Sequence, residues 1–563
     1  MISRSNFLPG LVVFAVLCGG MAPGMESQAV EILIDDGFSG NANDPIDSSV
    51  WKVPPGGDGA SFGQTTMKTD VTSLSTIAID IDANDDRAAV LELDTFLPGN
   101  TVGNPDNRAF GAEFQSKSSY AIGGGLIWEA RVKFGSTRDT GTAGTPGVIA
   151  PPPSGFVGGA FLYDVSNNFN VAGDPLVRDE IDFELLSKEP TQILTNTYND
   201  IGFEGVGSEG NPSLIANPVP SYSPYNFHDY KMTVTPTGTP GVNRTKWFVD
   251  GTEILSVTDS TSADDAMTAH FNLWMPDGTF PLAEDGNLSA EAALDNEIYT
   301  MSVDSVMLTR LNTSRDATNL VPNGGFASLA GWYAFNNADI SSEQGDSGDG
   351  DGFALKTFAQ FVTPDPATFD ASGVWRVVPV TANDQLSLTL DVLSPSGDST
   401  VGTGIQFAEA TVRFRNAGGQ VLSQRTGIPL NNGDPNLNED IWQSIFVEGT
   451  APAGTTSAIV QFNHISNNSG IGSGSIFWDN IQLNVLNIDL PSGDFNGDFV
   501  VDGADFLFWQ RNLGDATNLG LWQAGYGAGA LAGAVSAVPE PSTIMLVVAS
   551  MMSLGFSRRK FRS

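Results

Sequence analysis

Apolar and polar residues alternate with a period of two along most of this chain. Leu126, Trp128, Ala130, Val132 and Phe134 fall on one side of a pleated strand, and Ile127, Glu129, Arg131 and Lys133 fall on the other. Thr245–Val249 and Thr252–Val257 flank Asp250-Gly251, a dipeptide suited to a two-residue hairpin turn. Further along, Leu386, Leu388, Leu390 and Val392 alternate with polar neighbours in the same way. No helical run of useful length precedes residue 503. With 63 glycines and 32 prolines as punctuation, the pattern predicts an all-β protein of two antiparallel sandwiches, jelly rolls in style, and a short C-terminal loop-helix unit.

The chain has 563 residues, enough for two or three domains. The pattern places one β-rich domain over 31–312, a second over 319–487, an acidic loop-helix unit over 492–528 and an Ala/Gly linker over 529–537. The formal net charge is −39, which repels phosphate backbones and excludes nucleic acid as a natural partner. Cys18 is the one cysteine, so disulfides and thiolate metal sites are excluded, and His228, His270 and His464 are too scattered for a zinc cluster.

Both ends carry address signals. Arg4 precedes an apolar stretch from Phe7 to Leu17, and Ser27-Gln28-Ala29 offers a cleavage site, so residues 1–29 are expected to be a signal peptide. At the other end, Val538-Pro539-Glu540-Pro541 precedes the apolar run Ser542–Phe556 and the basic Arg558, Arg559, Lys560 and Arg562. That run spans only about 22 Å as a helix, which is short for a ~30 Å membrane core. Residues 538–563 resemble a PEP-CTERM sorting tail, which implies transient membrane insertion, processing by an exosortase-type enzyme and delivery to the cell surface or beyond.

The segment richest in chemistry is Arg178-Asp179-Glu180-Ile181-Asp182-Phe183-Glu184-Leu185-Leu186. On a strand, Glu180, Asp182 and Glu184 share one face, while Ile181, Phe183 and Leu185 share the other. Acidic residues are poor strand formers and like charges on one face repel, so three in alternation cost stability. A solvated acidic face or a calcium site would account for them. So would retaining glycoside hydrolysis, which needs one carboxylate as nucleophile and another as acid/base, ~5–5.5 Å apart. A third carboxyl between them can share a proton with the nucleophile, and mutual repulsion keeps the acid protonated.

Asp179–Glu184 resembles the signature of glycoside hydrolase family 16, and the resemblance extends over roughly 31–312. Leu33–Phe38 with Trp51, Trp128–Lys133, Phe227-His228-Asp229-Tyr230, Trp247–Gly251, Asn272-Leu273-Trp274 and Val303–Val306 match other family segments in order and spacing. The resemblance implies a concanavalin-like jelly roll with a concave substrate cleft and net retention of configuration. Glu180 would be the nucleophile, Asp182 its helper and Glu184 the acid/base. The motif lacks the extra residue that laminarinase- and agarase-like members carry before the last glutamate. It has the shorter form of lichenases, xyloglucan transglycosylases and fungal chitin–glucan crosslinking enzymes, so the implied substrate is a mixed-linkage β-glucan or xyloglucan-like polysaccharide, with hydrolysis and transglycosylation both open; the acidity of the chain disfavours sulfated polysaccharides and favours a neutral glucan. Trp274, Trp128 and His228 are candidate substrate-binding residues, each of which could instead serve the core.

Asn319–Phe326 with Trp332 at one end, and Phe477–Ile481 at the other, resemble a carbohydrate-binding module, with Trp375 and Trp442 as candidate sugar platforms. The loop Asp494–Asp505 sets Asp494, Asn496, Asp498, the Val500 carbonyl, Asp502 and Asp505 at calcium-loop spacing. It resembles a dockerin repeat, which implies bound Ca²⁺ and a cohesin-like partner, although Phe499 stands where glycine is expected and no second loop is present. No cofactor is expected for catalysis. The competing readings are a non-catalytic surface lectin and a calcium-binding adhesion protein.

Overall fold

The computed structural model describes residues 30–527 apart from intervening segments, of which the longest are 95–108, 140–154 and 284–296. The signal and sorting-tail expectations lie outside the described residues. Among the described residues no helix is long and apolar enough to cross a membrane.

The period-two runs become strands of two layered sandwiches. In the first, one layer runs in order through Thr252–Asp259, Asn243–Val249, His228–Pro236, Leu126–Phe134 and Glu297–Leu311. Glu297–Leu311 then pairs with both Val30–Asp36 and Arg87–Asp94. The other layer runs through Ser213–Ala216, Gln192–Gly202, Leu176–Leu186, Val157–Asn168, Thr268–Trp274, Ala109–Ser116 and Trp51–Lys52. The predicted hairpin forms: Asp250 and Gly251 both hold positive φ (46° and 74°), as a primed two-residue turn requires.

The inward faces of both layers meet in an aromatic core. Trp128, Phe183, Tyr230, Trp247 and Phe271 are fully buried there. Trp128 stacks on Phe271 with ring centroids 5.7 Å apart, and Phe183 meets Tyr230 edge-on at 5.2 Å. Each such ring removes 150–250 Å² from water.

The second sandwich has its own core around Trp332, Leu388, Phe462 and Trp478. One layer runs Ala338–Ser341, Ala354–Phe358, Ser475–Ile488, Gln385–Leu393, Gln443–Thr450. The other runs Tyr333–Phe335, Phe369–Pro379, Thr455–Asn467, Gln406–Asn416, Val421–Asn431. Both sandwiches fall in one compact unit. Val157–Asn168 pairs with Val421–Asn431 through Asn167↔Gln424 and Asn168↔Ser423, so one sheet runs from the first sandwich into the second. Polar side chains fasten the rest of the junction. Arg310, with no exposed surface, is held between Glu31 and Glu448, and Lys117 Nζ donates to Gln443 Oε1 at 2.8 Å.

The C-terminal unit, described by itself, contains helices Gly503–Asn512 and Ala516–Gly525. Asp502 caps the first: its carboxylate accepts from Ala504 N, and Asp505 reaches back to accept from Asp502 N.

Candidate active site

The acidic segment is a strand, Leu176–Leu186, central in its layer. Ile181, Phe183 and Leu185 are fully buried on the core side, so Glu180, Asp182 and Glu184 project from the opposite face. Trp247 crosses the core from the other layer and its indole N–H donates to the Asp182 carbonyl at 2.9 Å. That bond pins the strand at its middle acid.

Register assigns each acid its neighbours, since residues directly opposite on paired strands share a face. Glu180 lies between Tyr163 and Tyr198, Asp182 between Phe161 and Asn196, and Glu184 between Gly159 and Leu194. One strand further, Thr268, His270 and Asn272 stand beside Tyr163, Phe161 and Gly159. Gly159 is needed here: a Cβ on it would lie 2.4 Å from Asn272 Oδ1. Its amide donates to that oxygen instead, at 3.2 Å. His270 Nδ1 lies 2.9 Å from Glu113 Oε1 and its Nε2 lies 2.5 Å from Thr268 Oγ1, while its ring stacks on Phe161 at 4.9 Å.

Arg178 supplies the local cation. Its guanidinium sits 3.6 Å from Glu180 Oε2 and 3.9 Å above the Tyr198 ring. Burial nevertheless dominates at all three acids. It lifts Glu180 to about 7 against the pull of Arg178 and a hydrogen bond from Asp182. Burial, then the negative charge of Glu180, lifts Glu184 to about 8. Asp182, enclosed and flanked by both glutamates, is raised well above the usual carboxylate range, and its Oδ1 has no hydrogen-bond partner. Near neutral pH the trio therefore shares protons and does not carry three charges.

Two sequence expectations are corrected. Trp128 does not reach substrate: it is 0% exposed, on the other layer, packed on Phe271 in the core. His228 is also on that other layer, with its ring nitrogens 2.7 Å from Asp250 Oδ2 and 3.1 Å from the Ser223 carbonyl, so it braces the hairpin turn. Trp274 stands on the acid-bearing face, in the row of Val157 and Leu186 beyond Glu184. It is 8% exposed and stacks on Phe280 at 6.0 Å.

Tyr163, Tyr198, Glu113 and the face position of His270 are not singled out by the sequence pattern. The alternation His270, Asn272, Trp274 was the available signal. The others needed strand register. In the second sandwich Trp375 stacks on the exposed Tyr333 at 4.5 Å, whereas Trp442 packs against Ala354, Leu393 and Phe477. Of the calcium-loop residues, Asp494, Asp502 and Asp505 are described; Asn496, Asp498 and Val500 lie outside the described residues. Asp505 is fully buried and accepts from the amides of Phe495 and Asp502, each at 2.8 Å.

A comparison with curated proteins finds no match. Among solved structures, a lichenase from a mouse hindgut metagenome is 21% identical, with a TM-score of 0.29, covering 48% of this chain and 96% of its own. A Bacillus licheniformis β-glucanase is 16% identical (TM-score 0.31, 50% and 98% covered). A Streptomyces sioyaensis endo-1,3-β-glucanase is 16% identical (TM-score 0.34, 51% and 99% covered). Residues 154–290, which hold the three acids, match the family described as glycosyl hydrolases family 16.

Proposed function

We propose that this protein is an exported retaining endo-β-glycanase acting on a neutral β-glucan-type polysaccharide. The observation that carries the reading is the placement of Glu180, Asp182 and Glu184 in successive outward positions of one central strand, with Asp182 buried between the two glutamates. A lectin has no use for such a costly arrangement.

Glu180, ionised, attacks the anomeric carbon from one side of the sugar. Glu184, protonated, gives its proton to the departing glycosidic oxygen, which leaves as an alcohol. Glu184 then takes a proton from water, whose oxygen displaces Glu180 and restores the starting configuration. A second sugar hydroxyl in place of water gives transglycosylation. Asp182, protonated, donates a hydrogen bond to Glu180 and so holds the nucleophile carboxylate in its attacking orientation. The Glu113–His270 pair, Asn272 and Trp274 lie along the same face and are the groups we assign to sugar binding.

The N-terminal signal and the C-terminal Pro-Glu-Pro tail support export, with an exosortase-type enzyme as processing partner. The acidic loop from Asp494 to Asp505 would hold Ca²⁺ and order the first helix of its unit. A cohesin-like partner is the ligand that unit would serve.

The test is release of oligosaccharides from barley β-glucan, xyloglucan, laminarin and agarose by the full chain and by Glu180→Gln. Activity on one of the neutral glucans is expected to fall by about 10³-fold or more in the variant. Unchanged activity removes the nucleophile assignment, and retained binding with no turnover of any β-glycan establishes the lectin reading instead.

A further inference from the structure

Behind the nucleophile, on the face of its strand opposite Glu180, lies a group of acids, one buried and two partly buried, that the reaction does not use. Asp179 is 2% exposed and stands directly across the strand pair from Asp164. Like charges placed opposite one another in a sheet are destabilising. Asp265, just before strand Thr268–Trp274, adds a further carboxylate, and its amide donates to Asp179 Oδ2 at 2.8 Å. A cation from the second sandwich lies among them. Arg425 on strand Val421–Asn431 is 5% exposed; it pairs with Asp265 and lies 3.5 Å from Asp164 Oδ2. The charge of Asp179 also acts on it. The backbone explains how it gets there: Gln424 and Ser423 pair with Asn167 and Asn168, which delivers the next residue against Asp164.

We propose that Arg425 is a positioning residue for the catalytic strand, so that the second sandwich completes the active site from behind. The inference rests on the glycanase reading for its kinetic consequence, but not for its structural one. Arg425 gathers Asp164, on the strand beside the nucleophile strand, and Asp265, just before the strand beyond it. Through the Asp265 amide it fixes Asp179, the residue before Glu180. Glu180 itself is faced by Arg178, Asp182 and Glu184 on its own strand, by Tyr163 on one neighbour and by Tyr198 on the other. None of these restrains the strand from behind. Displacement of a reacting group by about 1 Å can cost 10²-fold in rate.

The experiment uses the full chain with Arg425→Met, Arg425→Lys and Asp265→Asn. Amide hydrogen exchange is followed over residues 176–186 and kinetics on the preferred glucan are measured in parallel. Arg425→Met is expected to exchange faster over 176–186 while Leu126–Phe134 keeps its protection, and to lose about tenfold in kcat with KM within twofold. Arg425→Lys, which keeps the charge, recovers most of the loss. A folded Arg425→Met with exchange over 176–186 unchanged overturns the proposal. If that variant does not fold, Asp265→Asn decides in its place, with faster exchange supporting the proposal and unchanged exchange overturning it. A wild-type protein that turns over no glycan sinks the glycanase reading alone, because the exchange readout still decides the role of Arg425.

Discussion

At the scale of single residues, the acids set the pH behaviour. With Glu180 raised to about 7 and Glu184 to about 8, the reactive form carries an ionised Glu180 beside a protonated Glu184. The kcat/KM profile is expected to be bell-shaped, rising near pH 7 and falling near pH 8, its two limbs belonging to the coupled trio. Initial rates across pH 5–10 check this, and a flat profile through that range contradicts it. The same burial has a stability consequence. Both glutamates ionise less readily folded than unfolded, where the usual value is 4.5. The fold is therefore unpenalised below about 4.5, where both are protonated folded and unfolded alike; it loses stability as pH rises from there, and the loss is complete once pH has passed about 7 and 8. Glu184→Gln removes the ionisation, so its Tm should exceed that of wild type at pH 9 and equal it at pH 4, while glycan turnover is lost. These positions were legible in the sequence because alternation on a strand shows as i, i+2, i+4. Tyr163 and Tyr198 were not, because nothing in a single strand says which residue will stand opposite it.

At the scale of elements, the nucleophile strand is held in the middle by Trp247 from the opposing layer. Trp247→Phe keeps an aromatic ring in the core but leaves the Asp182 carbonyl without its donor. It should cost about 1–3 kcal/mol in denaturant unfolding and lower kcat more than it raises KM. No loss of stability would mean that the bond does not restrain the strand. The misassignment of Trp128 has its explanation at this scale. A strand exposes two faces, and its own alternation shows which face is apolar but not whether a sugar or a second sheet covers it. Here the second sheet does, through Phe271. His228 was misread for a similar reason: its partner Asp250 lies 22 residues away across the hairpin, a contact invisible to local pattern.

At the scale of the whole molecule, the period-two patterning predicted both sandwiches, and each is built around its own aromatic core. The junction between them was not foreseen. Arg310, Glu31 and Glu448 are far apart in sequence, and each alone reads as an ordinary surface charge. Arg310→Met removes the buried cation of the pair and leaves the carboxylates to Arg315 alone, 2.8 Å from Glu31 Oε1 and 3.7 Å from Glu448 Oε1; it should destabilise the protein by about 3 kcal/mol, measured by denaturant unfolding at pH 7. A change below 1 kcal/mol would show that the triad contributes little.

The strand pairing at Asn167↔Gln424 has a calorimetric consequence. Two sandwiches joined by a flexible tether melt independently, whereas a sheet shared through its backbone couples them into a single cooperative transition. A scanning calorimetry trace of the full chain should therefore give one endotherm for the pair, and a partner or glycan that binds either sandwich should shift the melting of both.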